Sequence, residues 1–248
     1  FAVVKKQIKA IIDEAVDHKL LLPMDDANLT LSPSSFNDGH EHVDFNSEVG
    51  SYYLQSPAQA FAKIATLNID VASVTAHLKT IIAKQLPDNV AGLTLTLRPE
   101  IVSGDSYHYT HGLKLHDGNC QRIAHGHRST IQIFKNDQRC TELEKSWCQR
   151  WKDIYIASEA DRINKEDIQL SDNALINTTP GHHFFSYHAP QGRFDIAVPE
   201  NVLDVVDCDS TVELLADFIA RQLSKASPSD NFKVIAYEGV GKGAIAHA

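Results

Sequence analysis

His125-Gly126-His127 sets two imidazoles two residues apart. On an extended segment alternate side chains share a face, so both rings point the same way. His111 falls on the other arm of a predicted hairpin. Three histidines with one coordination position left open form a common catalytic zinc arrangement. Neutral imidazole suits zinc better than magnesium or calcium, which prefer oxygen. The chain has 13 histidines, and His108, His116, His182 and His183 compete as ligands by count. Cys120 lies five residues before His125. A thiol near a bound dication and an arginine, here Arg122, ionises more readily and becomes a usable base or nucleophile. Its polar, turn-forming flank, His116-Asp117-Gly118-Asn119, argues against burial in a core.

The elements that must carry these groups follow from periodicity. Val4, Ile8, Ile11, Ile12 and Ala15 keep a 3.6-residue period, ending near Asp17-His18-Lys19 with Pro23 beyond. A turn-rich segment runs from Asp25 to Gly39, and His40-Glu41-His42, with no cysteine beside it, reads as a loop feature. A second helix carries Val71, Val74, Leu78, Ile81 and Ile82 and stops before Pro87. Leu93, Leu95 and Leu97 alternate with threonines, the pattern of a strand. Tyr107 to Leu113 and Arg128 to Phe134 form the arms of a hairpin. A polar, helix-like insertion from Asn136 to Lys152 holds Trp147 and Trp151, and Phe184 to Val198 is a second hairpin turning at Pro190-Gln191-Gly192. A helix over Val212 to Leu223 and a strand over Phe232 to Ala236 close the chain.

The two halves end alike. Val74 matches Val212, Leu78 matches Ala216, Ile81 matches Ile219 and Glu100 matches Glu238, at an offset of 138. This reads as tandem duplication of one α+β unit, residues 1–100 and 101–248. At that offset the partner of His111 would fall before residue 1, so the first copy lacks its opening strands in the chain as given.

The remaining residues carry a family resemblance. Tyr107-His108-Tyr109-Thr110-His111, then Cys120, then His125-Gly126-His127, resembles the opening of the 6-pyruvoyl-tetrahydropterin synthase and 6-carboxytetrahydropterin synthase family. Ser210-Thr211-Val212-Glu213-Leu214-Leu215-Ala216 resembles its Pro-Thr-x-Glu-Asn-Leu-Ala helix start. Tyr237-Glu238-Gly239 resembles its terminal Tyr-Glu-Thr, and Val16-Asp17-His18-Lys19-Leu20-Leu21 resembles its Leu-Asp-His-x-x-Leu. The resemblance covers most of the chain, as two fused family domains.

It implies a tunnelling fold (T-fold), with antiparallel sheet and helices packed on one face, closed into a barrel by homo-oligomerisation. It implies zinc on His111, His125 and His127, Cys120 as the proton-transfer residue, and Asp17 and His18 as its relay. Glu238 would anchor a pterin, a carboxylate matching the two N–H donors of its guanidine-like edge, with Thr211 and Glu213 assisting at the ring. The second half has no clear Asp-His and the first no zinc histidines, so the resemblance implies one composite site. The implied reaction converts 7,8-dihydroneopterin triphosphate to 6-carboxytetrahydropterin, for queuosine-type deazapurine synthesis. Alternatives are 6-pyruvoyltetrahydropterin synthesis and a degenerate tandem protein that binds a pterin or purine without turnover.

Bulk properties narrow the classes further. With 248 residues, 43% hydrophobic, and a formal net charge of -9 without a long basic run, the chain is not expected to bind nucleic acid or anionic membrane. No apolar run approaches the roughly 18 residues that span a bilayer. Four cysteines without disulfide spacing are expected to be reduced, in a cytoplasmic protein.

Overall fold

Two hairpins of the same build face each other across the middle of the chain. In the computed structural model, which describes residues 2–17, 19–98, 101–112, 114, 123–172, 174–177, 181–239 and 241–248, the first is β3 (His40–Ser47) and β4 (Gly50–Pro57). The second is β12 (His182–Ala189) and β13 (Gly192–Pro199). Gly50 and Gly192 open the second arm of each hairpin at φ of 134° and 133°. A side chain there would be strained, and a Cβ on Gly50 would come within 2.8 Å of Pro199 Cγ. Pro57 and Pro199 end the arms, and each leads through one 3₁₀ turn into a short strand, β5 (Phe61–Ile64) or β14 (Leu203–Val206).

The correspondence extends outward. Helix α1 (Ala2–Val16) and β1 (Leu20–Pro23) match α3 (Thr141–Arg150) and β10 (Ile154–Ser158). β1 runs parallel to β5 as β10 does to β14, and β2 (Leu29–Pro33) flanks β3 as β11 (Arg162–Ile163) flanks β12. Helix α2 (Val71–Ala83) matches α4 (Val212–Ala226). By hairpin position the offset is 192 − 50, or 142, and by helix start 212 − 71, or 141. The offset of 138, read mainly from apolar residues, differs from these by about one helical turn. An amphipathic helix repeats its apolar stripe every turn, so its pattern matches itself after such a slip.

β4 pairs antiparallel with β13, setting Gln55 opposite Asp195, Leu54 opposite Ile196 and Tyr53 opposite Ala197. One six-stranded sheet, β11-β12-β13-β4-β3-β2, therefore crosses between the halves. Leu54 and Ile196 are equivalent residues and face each other at its centre, as around a two-fold axis. One face of the sheet buries Val43, Phe185, Phe194 and Ile196 against Leu22, Phe61 and Tyr155. The other face carries a buried polar group. Arg193 Nη2 donates to Asp195 Oδ1 at 2.8 Å, Gln55 Nε2 donates to Asp195 Oδ2 at 3.1 Å, and Tyr53 Oη donates to the Gln169 carbonyl at 2.9 Å.

The second half adds two four-stranded sheets that meet at Thr130. β6 (Tyr107–His111) pairs with β7 (His125–Ser129), and β10 runs parallel to the other edge of β6. After Thr130 the chain continues as β8 (Ile131–Lys135), which pairs with β15 (Phe232–Tyr237) and with the short β9 (Gln138–Arg139); β16 (Gly243–His247) completes that sheet. The architecture is α+β, with several antiparallel sheets and four helices among the described residues. α3 is not a polar insertion: Trp147, Cys148 and Trp151 are buried with Tyr107, Tyr109, Phe218 and Ile219. The expected hairpin arms also shift, because β8 leaves β6 for β15 and the partner of β6 is β7. His40-Glu41-His42 lies in strand β3, not a loop, and the segment read as turns before it contains β2.

The first half has no described counterpart of β6 to β9. Leu93, Leu95 and Leu97 accordingly form no strand, although they pack beside Ile11, Leu78 and Ile82. Within the second half, Ile123 covers Phe185, Tyr187 and Tyr155, whose hydroxyl donates to the Ile123 carbonyl at 2.9 Å. At the equivalent place in the first half, Val43, Phe45 and Leu20 border a cavity of about 670 Å³. Its other walls include Thr110, Gly126 and Arg128, on the face of β6 and β7.

Asp195 is fully buried beside the seam between the halves. Replacing Arg193 with Met leaves that carboxylate without its cation, and removing one member of a buried pair costs about 3–5 kcal/mol. Urea unfolding of R193M should show a loss of that order. A loss below ~1 kcal/mol would mean that the seam does not depend on this pair.

Candidate metal centre

The register of β6 on β7 sets His111 opposite His125, and Tyr109 opposite His127. Alternation then sends Tyr107, Tyr109, His111, His125 and His127 to one face and His108, Thr110, Gly126 and Arg128 to the other. The three rings converge, with centroids 4.4 Å apart for His125 and His127, 5.1 Å for His111 and His127, and 5.8 Å for His111 and His125. One ring nitrogen of each lies within 4.8 Å of the others, so the group could hold a metal ion. Two nitrogens each about 2.0–2.1 Å from a tetrahedral zinc ion sit about 3.4 Å apart, so the rings would close inward from that spread to hold one.

The donors fit such an ion. His111 is buried, and its Nε2 has no hydrogen-bond partner. Burial pushes the His111 pKa well below the ordinary histidine value, and the neighbouring His127 and His125 add to the effect, while Ser210 opposes it. The ring is therefore neutral, the form that binds metal. Tyr109 packs its ring 5.2 Å from His111 and 5.4 Å from His127. Burial raises the Tyr109 hydroxyl pKa, helped by the negative charge of Glu238, so this wall of the site stays uncharged.

Glu238 reaches the same cluster from the end of β15. The Tyr237 amide donates to the Thr130 carbonyl at 3.2 Å, carrying the ladder past the end of β8. Glu238 Oε1 then lies 3.5 Å from His127 Nε2, and Lys242 Nζ sits 3.3 Å from Oε2. On the far side, His111 Nδ1 lies 2.7 Å from Ser210 Oγ, just ahead of α4. Lys114 pairs with Asp161 and stands 3.6 Å from Asp209.

The other expected residues have these positions. Thr211 is the N-cap residue of α4 and makes no side-chain capping bond, and Glu213 is exposed in the first turn. The Ser210 hydroxyl, one residue before that cap, turns to His111. Asp17 is exposed just after α1, outside the three-histidine group. Cys120 and His18 lie outside the described residues, as do His116 and Glu100. Of the competing histidines, His108 points to the opposite face, where its Nε2 accepts from Arg128 Nε at 2.7 Å. His182 Nε2 is 2.6 Å from the Ser51 carbonyl, and His183 Nδ1 is 2.7 Å from Arg162. Sequence reading missed Ser210 and the Lys114–Asp161 pair as neighbours of the site. Ser210 is 99 positions from His111, and only the tertiary fold joins them.

Comparison with known proteins adds little beyond this. No family profile matches the chain, and no curated protein matches it in sequence. Among solved structures it is similar to the crystal structure of 6-pyruvoyl tetrahydropterin synthase from Plasmodium vivax, at 14% identity and a TM-score of 0.40. That match covers 58% of this chain and 91% of the other. No helix among the described residues is long and apolar enough to cross a membrane.

Replacing His127 with Ala removes one of the converging nitrogens. Competition with a chelator should show zinc binding weaker by more than ~100-fold, beyond the loss typical of a supporting hydrogen-bond partner. Unchanged affinity would remove His127 from the ligand set.

Proposed function

We propose that the chain is a zinc-dependent pterin synthase, acting on 7,8-dihydroneopterin triphosphate to give 6-carboxytetrahydropterin. The observation that carries the reading is the convergence of three imidazoles on one sheet face with a carboxylate, Glu238, against them. Three nitrogen ligands leave a coordination position open for substrate, whereas structural zinc sites are usually closed by four ligands and rich in cysteine. The four ordered motifs of the resembled family, which include these same residues, point to a pterin as the substrate.

His111, His125 and His127 would hold the ion, which when bound acts as a Lewis acid on substrate oxygens and acidifies the neighbouring C–H or O–H. Glu238 would take the guanidine-like edge of the pterin in a paired hydrogen bond, with Thr211 and Glu213 assisting. Cys120 would move the proton, with Asp17 and His18 completing the relay from the first repeat. The tunnelling fold, with residues 1–100 and 101–248 as its two repeats, a homo-oligomeric state and a cytoplasmic location belong to the same reading.

The test is product mass with the zinc-loaded chain and 7,8-dihydroneopterin triphosphate. A 6-carboxy pterin with acetaldehyde is expected; the 6-pyruvoyl compound would move the chain to the other branch of the family. H18A is expected to keep zinc and lose turnover, and full activity in that variant would sink the composite site. Stoichiometric zinc without any product would leave a binding protein.

A further inference from the structure

The hydrogen bonds around Ser210 decide which nitrogen of His111 carries the proton. Ser210 is buried just ahead of α4, and its Oγ lies 3.2 Å from the Gly112 carbonyl and 2.7 Å from His111 Nδ1. A hydroxyl has one proton to donate and lone pairs with which to accept. The carbonyl can only accept, so the hydroxyl proton goes to Gly112. Ser210 Oγ must then accept from His111, which requires the proton on Nδ1. A second proton on Nε2 would be buried with no acceptor, because that atom has no hydrogen-bond partner. His111 Nε2 is thereby left as a bare lone pair facing the other two histidines.

We propose that Ser210 is a positioning residue that locks His111 in the Nδ1–H tautomer and aims Nε2 at the metal. The inference rests on the reading of the three histidines as a metal site and says which atom of His111 binds and what holds it. Position 210 carries serine where the resembled motif has proline, so the hydroxyl is this chain's own feature. It also ties the end of β6 to the start of α4, fixing the ring by two elements remote in sequence.

Two measurements test it on the full chain. The first is zinc affinity, with zinc alone as probe and a chelator as competitor. S210A should bind about 10- to 100-fold more weakly, the range for losing a partner of a ligating imidazole, while S210T, which keeps the hydroxyl, should recover most of the loss. The second is the ¹⁵N spectrum of the imidazoles in the metal-free wild-type chain. It should place the His111 proton on Nδ1, and a merely structural serine has no reason to impose this. Wild-type His111 protonated on Nε2, or S210A binding zinc as tightly as the wild type, overturns the assignment. If S210A fails to fold, the wild-type spectrum alone decides. A wild-type chain that takes up no zinc but shows the Nδ1–H tautomer overturns the metal reading, and with it the role of Ser210, while leaving the hydrogen-bond assignment standing.

Discussion

The antiparallel pairing of β4 with β13 is the constraint from which the rest follows. It joins like hairpins around Leu54 and Ile196, so the two halves share one sheet. Burial on both faces of that sheet fixes its register, because a slip of one residue would exchange the apolar and polar faces. Tyr155, and with it β10, packs against the apolar face, and β6 runs along β10. The position of the histidine-bearing strands therefore descends, through β10, from a seam that holds no histidine.

The histidine cluster depends on three alignments. Alternation along β6 and β7 puts the rings on one face; the β6–β7 register puts His111 opposite His125; and the Tyr237–Thr130 bond at the end of β15 brings Glu238 to them. A neutral His111 and a neutral Tyr109 line the buried side of the cluster, and the carboxylate stands at one side. The reverse face of the same two strands borders the apolar cavity, so Gly126 separates a polar arrangement from an apolar space by the thickness of one sheet.

Much of this was legible in the sequence. The α1, α2 and α4 stripes, the hairpin at Pro190-Gln191-Gly192 and the closing strand follow local periodicity, and the structure has each of them. The H-x-H spacing and His111 were readable because a strand's two-residue period is local as well. What escaped has a common cause. The strand expected at Leu93 to Leu97 has the pattern but no neighbour, and a strand forms only where another offers its edge. α3 looked polar because its exposed charges outnumber the two tryptophans that it buries. The repeat offset slipped by a turn because helices match themselves at that spacing, whereas Gly50 and Gly192 mark unique positions. Ser210 gave no local sign of its place beside His111, because that bond is a tertiary fact.

The order of the six-stranded sheet also bears on how the chain avoids sticking to itself. A sheet is exposed to aggregation at its outermost strands, where unpaired amides invite another chain. Here the two most buried arms, β4 and β13, meet in the interior, and the rims are β2 and β11. β11 is two residues long, and β2 ends in Pro33, which has no amide to offer. By pairing the most buried strands with each other, the two hairpins leave the weakest ones facing outward.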